Sequence, residues 1–275
     1  MSPITEQRAG VFGLQVGIAG CGKVGTSLAL ALTQAGVAVS AVYSRTLNRA
    51  EQLATLVNAA IYHPEKSELS LPKVDVWIVA VNDDNISEVV HLLHQGFPES
   101  LIAHTSGGCD TIQLQPLHPR VGVFYPLQTF SEFRLLDWSE IPVFVSSMHE
   151  SDTAVLHALA STITMKAVEI KEEDRAIIHL AAVFINNFVN AMSAIALDIL
   201  KQKKLDFYLL MPLLDETVEK IRLSDPLNAQ TGPAMRGDLQ TIERHLGLLN
   251  QFPSEYKEVY QTVSALITKY LRKDP

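Results

Sequence analysis

The sequence predicts an α/β fold: a doubly wound parallel sheet over residues 1–171, followed by an all-helical domain over 172–275. Three observations carry that prediction. Short apolar runs alternate with helical patterns as far as about Lys171, and no β-rich run follows it. One of those runs, Val74-Asp75-Val76-Trp77-Ile78-Val79-Ala80-Val81, is almost continuously apolar. Strands alternating with helices read as parallel units with right-handed crossovers. A strand apolar toward both faces is one covered on both sides.

Taken in order, Leu14-Gln15-Val16-Gly17-Ile18-Ala19 is a first strand that runs into Gly20-Cys21-Gly22-Lys23-Val24-Gly25. A helical stretch, 24–34, leads out and stops at Gly36. Residues 37–43 form a second strand ending in Ser44-Arg45-Thr46, and a helix over 48–58 follows. A short strand lies around 60–62. The apolar run over 74–81 ends at Asn82-Asp83-Asp84-Asn85, which can turn the chain and cap a helix over 86–93. Strands follow at 101–104, 121–125 and 142–145, then a helix over 156–163 and a last strand over 165–170. Helices at 172–203, 206–223, 233–249 and 254–271 complete the chain, punctuated by Asp225-Pro226 and Phe252-Pro253.

Composition narrows the function. The chain has 275 residues, 47% apolar and 19% charged, which is ordinary for a globular protein with a sizeable core. A net charge of −8 without a basic stripe excludes nucleic acid as a general partner. Lys171, Lys201, Lys203, Lys204 and Lys220 are scattered among acids and read as solvated helix surface. Cys21 and Cys109 make neither a disulfide framework nor a zinc site, so no metal is expected. Met1 to Gly10 carries Glu6 and Arg8 and no long apolar core, unlike a secretory leader. The apolar stretch Leu180 to Leu200 is interrupted by Asn186, Asn187, Asn190 and Asp198, which a membrane span rarely tolerates. The expectation is a reduced, cytoplasmic, soluble protein with no membrane partner.

The glycine turn is the strongest chemical signal. Strand, G-x-G-x-x-G and helix in that order are what a dinucleotide pyrophosphate needs. The first glycine (Gly20) makes the turn, the second (Gly22) admits the phosphates, and the third (Gly25) lets helix and strand pack closely. Lys23 and Val24 open the helix whose free N–H groups and dipole face the anion.

Charge then distinguishes the cofactor. An NAD site wants an acid about 20 residues beyond the turn to accept from the ribose 2′-hydroxyl. No Asp or Glu occurs between Glu6 and Glu51; the second strand ends instead in Ser44-Arg45-Thr46, with Arg49 close behind. A hydroxyl and a guanidinium suit a 2′-phosphate that a carboxylate would repel, so NADP is predicted. Further polar clusters fall at strand ends, where open α/β sheets bind ligands: Asn82-Asp83, His104-Thr105-Ser106 and Gln128-Thr129.

The helical half supplies further candidates. His179, Val183, Asn186 and Asn190 share one face of a straight helix to within roughly 40°. Polar side chains on so apolar a helix cost free energy if buried unpaired. They either line a substrate cleft or bond between helices in a dimer core. Arg236, after Thr231-Gly232-Pro233-Ala234-Met235, can clamp a carboxylate or pair with Asp238 or Asp225. His245 reads as structural.

Together these residues resemble a family of two-domain Rossmann-like proteins with a helical C-terminal domain of uncharacterised function, named by similarity as deazaflavin-dependent-type NADP oxidoreductases. The matching stretches are Gly20 to Gly25, Ser44-Arg45, His104-Thr105-Ser106-Gly107, Tyr125-Pro126-Leu127-Gln128-Thr129-Phe130, the Asn186-Asn187 helix, and Thr231-Gly232-Pro233 with Arg236-Gly237-Asp238. The chain also looks like a distant relative of pyrroline-5-carboxylate reductase, ketopantoate reductase and the 6-phosphogluconate dehydrogenase group. One departure matters. The hydroxyacid dehydrogenases of that wider group carry a catalytic lysine three residues before an asparagine on this helix, and that position here is Val183. His179, one turn earlier, is the alternative acid; an imine already protonated would need none.

The resemblance and the residues together imply an NADP(H)-dependent reductase of a small carbonyl or imine compound bound between the domains. Nicotinamide would lie near Asn82, His104 and Ser106, the proton would come from His179 or water, Asn186 would orient the substrate, and Arg236 would hold an anionic group. A homodimer is expected from the apolar helices. The rival is a non-catalytic NADP-binding sensor or scaffold, because fold does not fix function. A Ser106–His104 hydrolase is disfavoured, since no G-x-S-x-G elbow or partnering acid is present.

Overall fold

The computed structural model describes residues 13–63, 72–131 and 136–271. The N-terminal segment read above as unlike a secretory leader lies outside the described residues. Packing divides the chain into two units, Met1–Asn186 and Asn187–Pro275.

Among the described residues the first unit holds an eight-stranded sheet in the order β3-β2-β1-β4-β5-β6-β7-β8. The strands are β1 (Gln15–Ala19), β2 (Ala38–Tyr43), β3 (Ala60–Ile61), β4 (Val76–Val79), β5 (Leu101–His104), β6 (Val121–Pro126), β7 (Val143–Ser147) and β8 (Ala167–Glu169). From β3 to β6 every pairing is parallel. The chain builds outward from β1 to β3, then crosses back to place β4 on the other side of β1. The switch point therefore lies between the ends of β1 and β4, where open α/β sheets hold ligands.

Periodicity explains the layers. Alternate residues of β4 feed two different cores: Val76 and Ile78 pack with Val16, Ile18, Leu28 and Leu32, while Trp77 and Val79 pack with Ala19, Val90 and Leu93. Helix α1 (Lys23–Gln34) buries Gly25, Leu28, Ala29, Ala31 and Leu32 along one stripe. Helix α2 (Leu47–Val57) buries Ala50, Leu53, Ala54 and Val57, and α3 (Ile86–Gly96) buries Ile86, Val89, Val90 and Leu93. Each fully buried leucine contributes roughly 2–3 kcal/mol by area removed from water.

Three expectations are corrected. The sheet is not parallel throughout: β7 runs antiparallel to β6, with Tyr125 opposite Phe144. Between them the described residues hold a short 3₁₀ turn, Trp138–Glu140, and no α-helix to carry a crossover, so the chain doubles back. Helix α4 (Glu150–Ala160) then carries β8 into parallel register with β7.

The straight helix expected over 172–203 is also interrupted. It runs as α5 (Glu172–Ala182), a π-helical segment Val183–Phe188, and α6 (Val189–Gln202). Bonding to the fifth residue puts more residues in each turn, so positions beyond Val183 rotate away from the face that simple α spacing assigns to them. His179, Asn186 and Asn190 do not share the stripe that straight-helix geometry implies.

In the second unit, a 3₁₀ turn Phe207–Leu210 leads into α7 (Met211–Leu223). A single helix expected over 233–249 is split, because Gly237 adopts φ 71° and ends the short helix Pro233–Arg236. Asp238 then caps α8 (Leu239–Leu248) by accepting from the Thr241 N–H. The last long helix is α9 (Ser254–Leu266). The Glu172–Gln202 run is 31 residues long and contains an 18-residue window of mean hydropathy 1.7, enough by length and composition to cross a membrane. That criterion alone is weak here, for Asn186, Asn187, Asn190 and Asp198 interrupt it.

Candidate cofactor and active site

The glycine turn is shaped by three different contacts. Gly20 has φ +108°, a region that side chains disfavour, and a Cβ there would overlap the carbonyl of Ala80 just past β4. Its N–H donates to the Tyr43 carbonyl at 2.8 Å, tying the turn to the end of β2. At Gly25 a Cβ would overlap the Gly20 carbonyl, so the helix start rests directly on the turn. Gly22 differs: a Cβ there meets nothing within 4 Å. It opens α1 in extended conformation, with no side chain capping the helix and no acid in the first turn. Gly20 and Gly25 build the turn, and Gly22 leaves an open cradle beside uncapped N–H groups. Those residues fit a pyrophosphate. Lys23 is exposed and Val24 half-buried at the same helix start.

At the end of β2, the Ser44 hydroxyl accepts the Thr46 N–H at 3.2 Å and lies beside the Cys21 thiol. The exposed Arg45 guanidinium donates to Asn85 Oδ1 at 3.1 Å, which links this tip to the loop after β4. Burial pushes the Cys21 thiol up to about 11, against the smaller pull of Ser44 and Arg49, so it stays protonated and unreactive. Hydroxyl, guanidinium and a second nearby arginine make a donor set for a 2′-phosphate. Asn82 is exposed in the β4 loop, where it precedes the 3₁₀ turn Asp83–Asn85 without capping it.

The loop after β5 is held from inside. His104 is 1% exposed; its Nδ1 accepts the Ser106 N–H at 3.2 Å and its Nε2 lies 3.4 Å from the Thr111 hydroxyl. Burial, helped by the charge of Arg175, brings the imidazole down to about 3, so it is neutral. The Ser106 hydroxyl accepts from the N–H groups of Gly108 and Cys109, at 3.0 and 2.9 Å. Both side chains shape the loop around them.

Arg175 was not singled out by the sequence. It is 1% exposed and donates to the carbonyls of Ser106 and Cys109 and to the Glu172 carboxylate. Glu172 in turn accepts from the N–H and hydroxyl of Thr111, each at 3.3 Å. The first turn of α5 thus pins the whole 105–111 loop. The available signal was Glu172 and Arg175 three apart at the start of an apolar helix.

His179, one turn beyond Arg175, is half-buried, and the Tyr125 hydroxyl lies 3.0 Å from its Nδ1. Tyr125 is the penultimate residue of β6, so this pair stands at the same sheet edge as the β5 loop. Asn186 lies in the π segment and is exposed. Arg236 belongs to the second unit and is exposed; among the described residues it makes no salt bridge with Asp238 or Asp225, both of which cap helices instead. His245 bonds the Tyr260 hydroxyl at 2.9 Å, within the helical unit.

A Rossmann-like domain model matches residues 2–128, and a model described as a domain of unknown function, DUF2520, matches residues 141–267. A Bacteroides fragilis protein provisionally described as an NADP oxidoreductase is 36% identical over 94% of this chain and 99% of its own, with a TM-score of 0.86. The chain belongs to that family of Rossmann-like NADP oxidoreductases with a DUF2520 domain. More distant members of the same fold share no more than its architecture. An Aspergillus terreus reductive aminase in complex with NADPH4, cyclohexanone and allyl amine is 14% identical over 95% of this chain and 96% of its own, at a TM-score of 0.68. A Plasmodium falciparum pyrroline carboxylate reductase with NADP bound is 15% identical over 96% and 100%, at 0.58. None of the curated proteins matches this chain.

Proposed function

We propose that the protein is an NADPH-dependent reductase of a small imine or carbonyl compound. The observation that carries this is the open cradle at Gly22 beside the Ser44-Arg45 tip, with no acid between Glu6 and Glu51 to repel a 2′-phosphate. In this reading Gly20, Gly22, Lys23, Val24 and Gly25 hold the pyrophosphate, and Ser44 and Arg45 hold the 2′-phosphate. Asn82 and the 105–108 backbone receive the nicotinamide end, while His104 and Ser106 keep that backbone in place. Bound NADPH supplies the hydride. The chain's own work is to orient the acceptor and to give the heteroatom a proton, which falls to His179, while Asn186 orients the substrate. The family membership and the imine- and ketone-handling neighbours support the reaction class.

Val183, where a lysine acid would stand, favours a second reading: an NADP-binding sensor or scaffold without turnover. A single-turnover assay separates the two. NADPH absorbance is followed against a panel of cyclic imines, imino acids and 2-oxo acids. Oxidation with at least one of them supports the reductase; tight NADPH binding with no oxidation supports the sensor.

The same proposal includes a homodimer. Ile177, Leu180, Phe184 and Ile185 are all more than half exposed on one continuous helical run, a concentration of apolar surface that soluble monomers rarely carry. A second copy is the expected cover, and light scattering should give twice 30.3 kDa. A monomer mass would contradict it. The reducing cytoplasm suits its two free thiols, Cys21 and Cys109.

A further inference from the structure

We propose that Tyr125 is the positioning residue that makes His179 a proton donor, an inference that rests on the reductase reading above. The Tyr125 hydroxyl lies 3.0 Å from His179 Nδ1, and the two rings meet edge-on, with centroids 5.9 Å apart and planes 72° from parallel. Tyr125 is itself held: it is 9% exposed and packs with Val123 and Phe144, flanked by Ile178 of α5. Burial raises its phenol above the ordinary value, with Arg175 pulling the other way, so it bonds as a hydroxyl at neutral pH.

Gly107 brings the candidate nicotinamide loop against this pair. A Cβ at Gly107 would overlap the His179 imidazole and stand 2.9 Å from Tyr125 Cζ. Glycine at that position lets the β5 loop touch both rings. Among the described residues Tyr125 is the only hydrogen-bond partner of the His179 ring, which leaves Nε2 for a ligand.

The proton balance follows from which nitrogen is occupied. In the imidazolium form, Nδ1–H donates to the Tyr125 oxygen and Nε2–H faces the substrate heteroatom. Reduced nicotinamide, when bound, would supply hydride to the C=N or C=O carbon, and the π pair left on nitrogen or oxygen would take the proton held at His179 Nε2. The Nε2–H bond breaks and the heteroatom–H bond forms. His179 would be left neutral in its Nδ1–H tautomer, still bonded to Tyr125, with the hydride and the proton both on the reduced substrate. The hydrogen bond on one ring nitrogen sets which tautomer the ring adopts.

The test needs no cofactor for its first readout. With ¹⁵N-histidine labelling of the full chain at pH 8, wild-type His179 should show Nδ1 protonated and Nε2 bare, and Tyr125→Phe should reverse the preference to Nε2–H. In turnover of whichever imine the wild type reduces, Tyr125→Phe should lower kcat about 100-fold with KM little changed, the scale of a lost general acid. Tyr125→3-fluorotyrosine keeps the ring volume and the hydroxyl, so it reports even if phenylalanine disturbs folding. It should keep the Nδ1–H form and lower kcat a few-fold. An unchanged tautomer in Tyr125→Phe, or a changed tautomer with unchanged kcat, overturns the proposal. If the wild type reduces no imine or carbonyl at all, the reductase reading fails, whereas the tautomer result still decides whether Tyr125 sets the ring.

Discussion

The guanidinium of Arg175, on α5, donates to the carbonyl of Ser106, which lies 69 residues earlier at the tip of the loop after β5. A buried cation on a helix thereby fixes the backbone that the nicotinamide reading depends on. Its charge is balanced by Glu172, three residues back on the same helix, and Glu172 reaches the loop a second time through Thr111.

Arg175→Met should therefore destabilise the first unit strongly. It strips the partner from Glu172 and leaves two loop carbonyls, of Ser106 and Cys109, without their donor. Breaking one side of a buried pair costs about 3–5 kcal/mol, and replacing both sides together costs less. Thermal melts should show a fall of roughly 6–15 °C for Arg175→Met. The double variant with Glu172→Met should recover part of it. A melt unchanged by Arg175→Met would show that the pair carries no load.

The three glycines of the turn should separate by effect. Gly25→Ala forces a Cβ into the Gly20 carbonyl, so it should lower the melting temperature and NADPH binding together. Gly22→Val meets open space and a φ of −87° that any residue adopts, so its melting temperature should match the wild type. It fills the cradle, however, and NADPH affinity should drop at least 100-fold. Normal binding by a well-folded Gly22→Val would place the pyrophosphate elsewhere.

Arg45→Asp should weaken NADPH far more than NADH. A charge-assisted bond to phosphate contributes about 1.5–3 kcal/mol, which is a factor of roughly 10 to 150 in Kd. The replacement acid would also repel the 2′-phosphate while accepting from a 2′-hydroxyl. Equal losses for both nucleotides would show that Arg45 does not read that group.

Stability should fall as the solution is acidified from pH 7.5 to 5. His104 has a folded value near 3 against the ordinary 6.5, mainly through burial. The unfolded chain binds a proton below 6.5 that the folded chain refuses until about 3. The contribution is therefore complete above 6.5 and is lost at about 1.4 kcal/mol per pH unit within that window. His118, lowered by its own burial, acts in the same direction. Urea titrations at pH 7.5, 6 and 5 should show a shallower slope for His104→Gln than for the wild type. Parallel slopes would mean that His104 is not held neutral.

Periodicity made most of the fold legible. The eight strands fall where apolar runs and turn residues put them, because each side of the sheet demands its own alternate set, as Val76 and Trp77 illustrate. The direction of β7 was hidden, since a strand reads the same either way and only its pairing with β6 decides it. The π segment at Val183–Phe188 was hidden for a related reason: apolar spacing near four residues suits α and π turns alike. In the candidate site, the close approaches at Gly20 and Gly25 were legible because a glycine turn between strand and helix leaves no room for a side chain. Arg175 and Tyr125 were not, because their roles depend on contacts 69 and 54 residues away in sequence.

The central claim is that the Gly22 cradle and the Ser44-Arg45 tip together take NADP(H). Calorimetric titration of the wild-type protein with NADPH and with NADH, at one ionic strength, tests it most directly. The account predicts one site per chain and at least tenfold tighter binding of NADPH. Equal affinities, or tighter NADH, would contradict it.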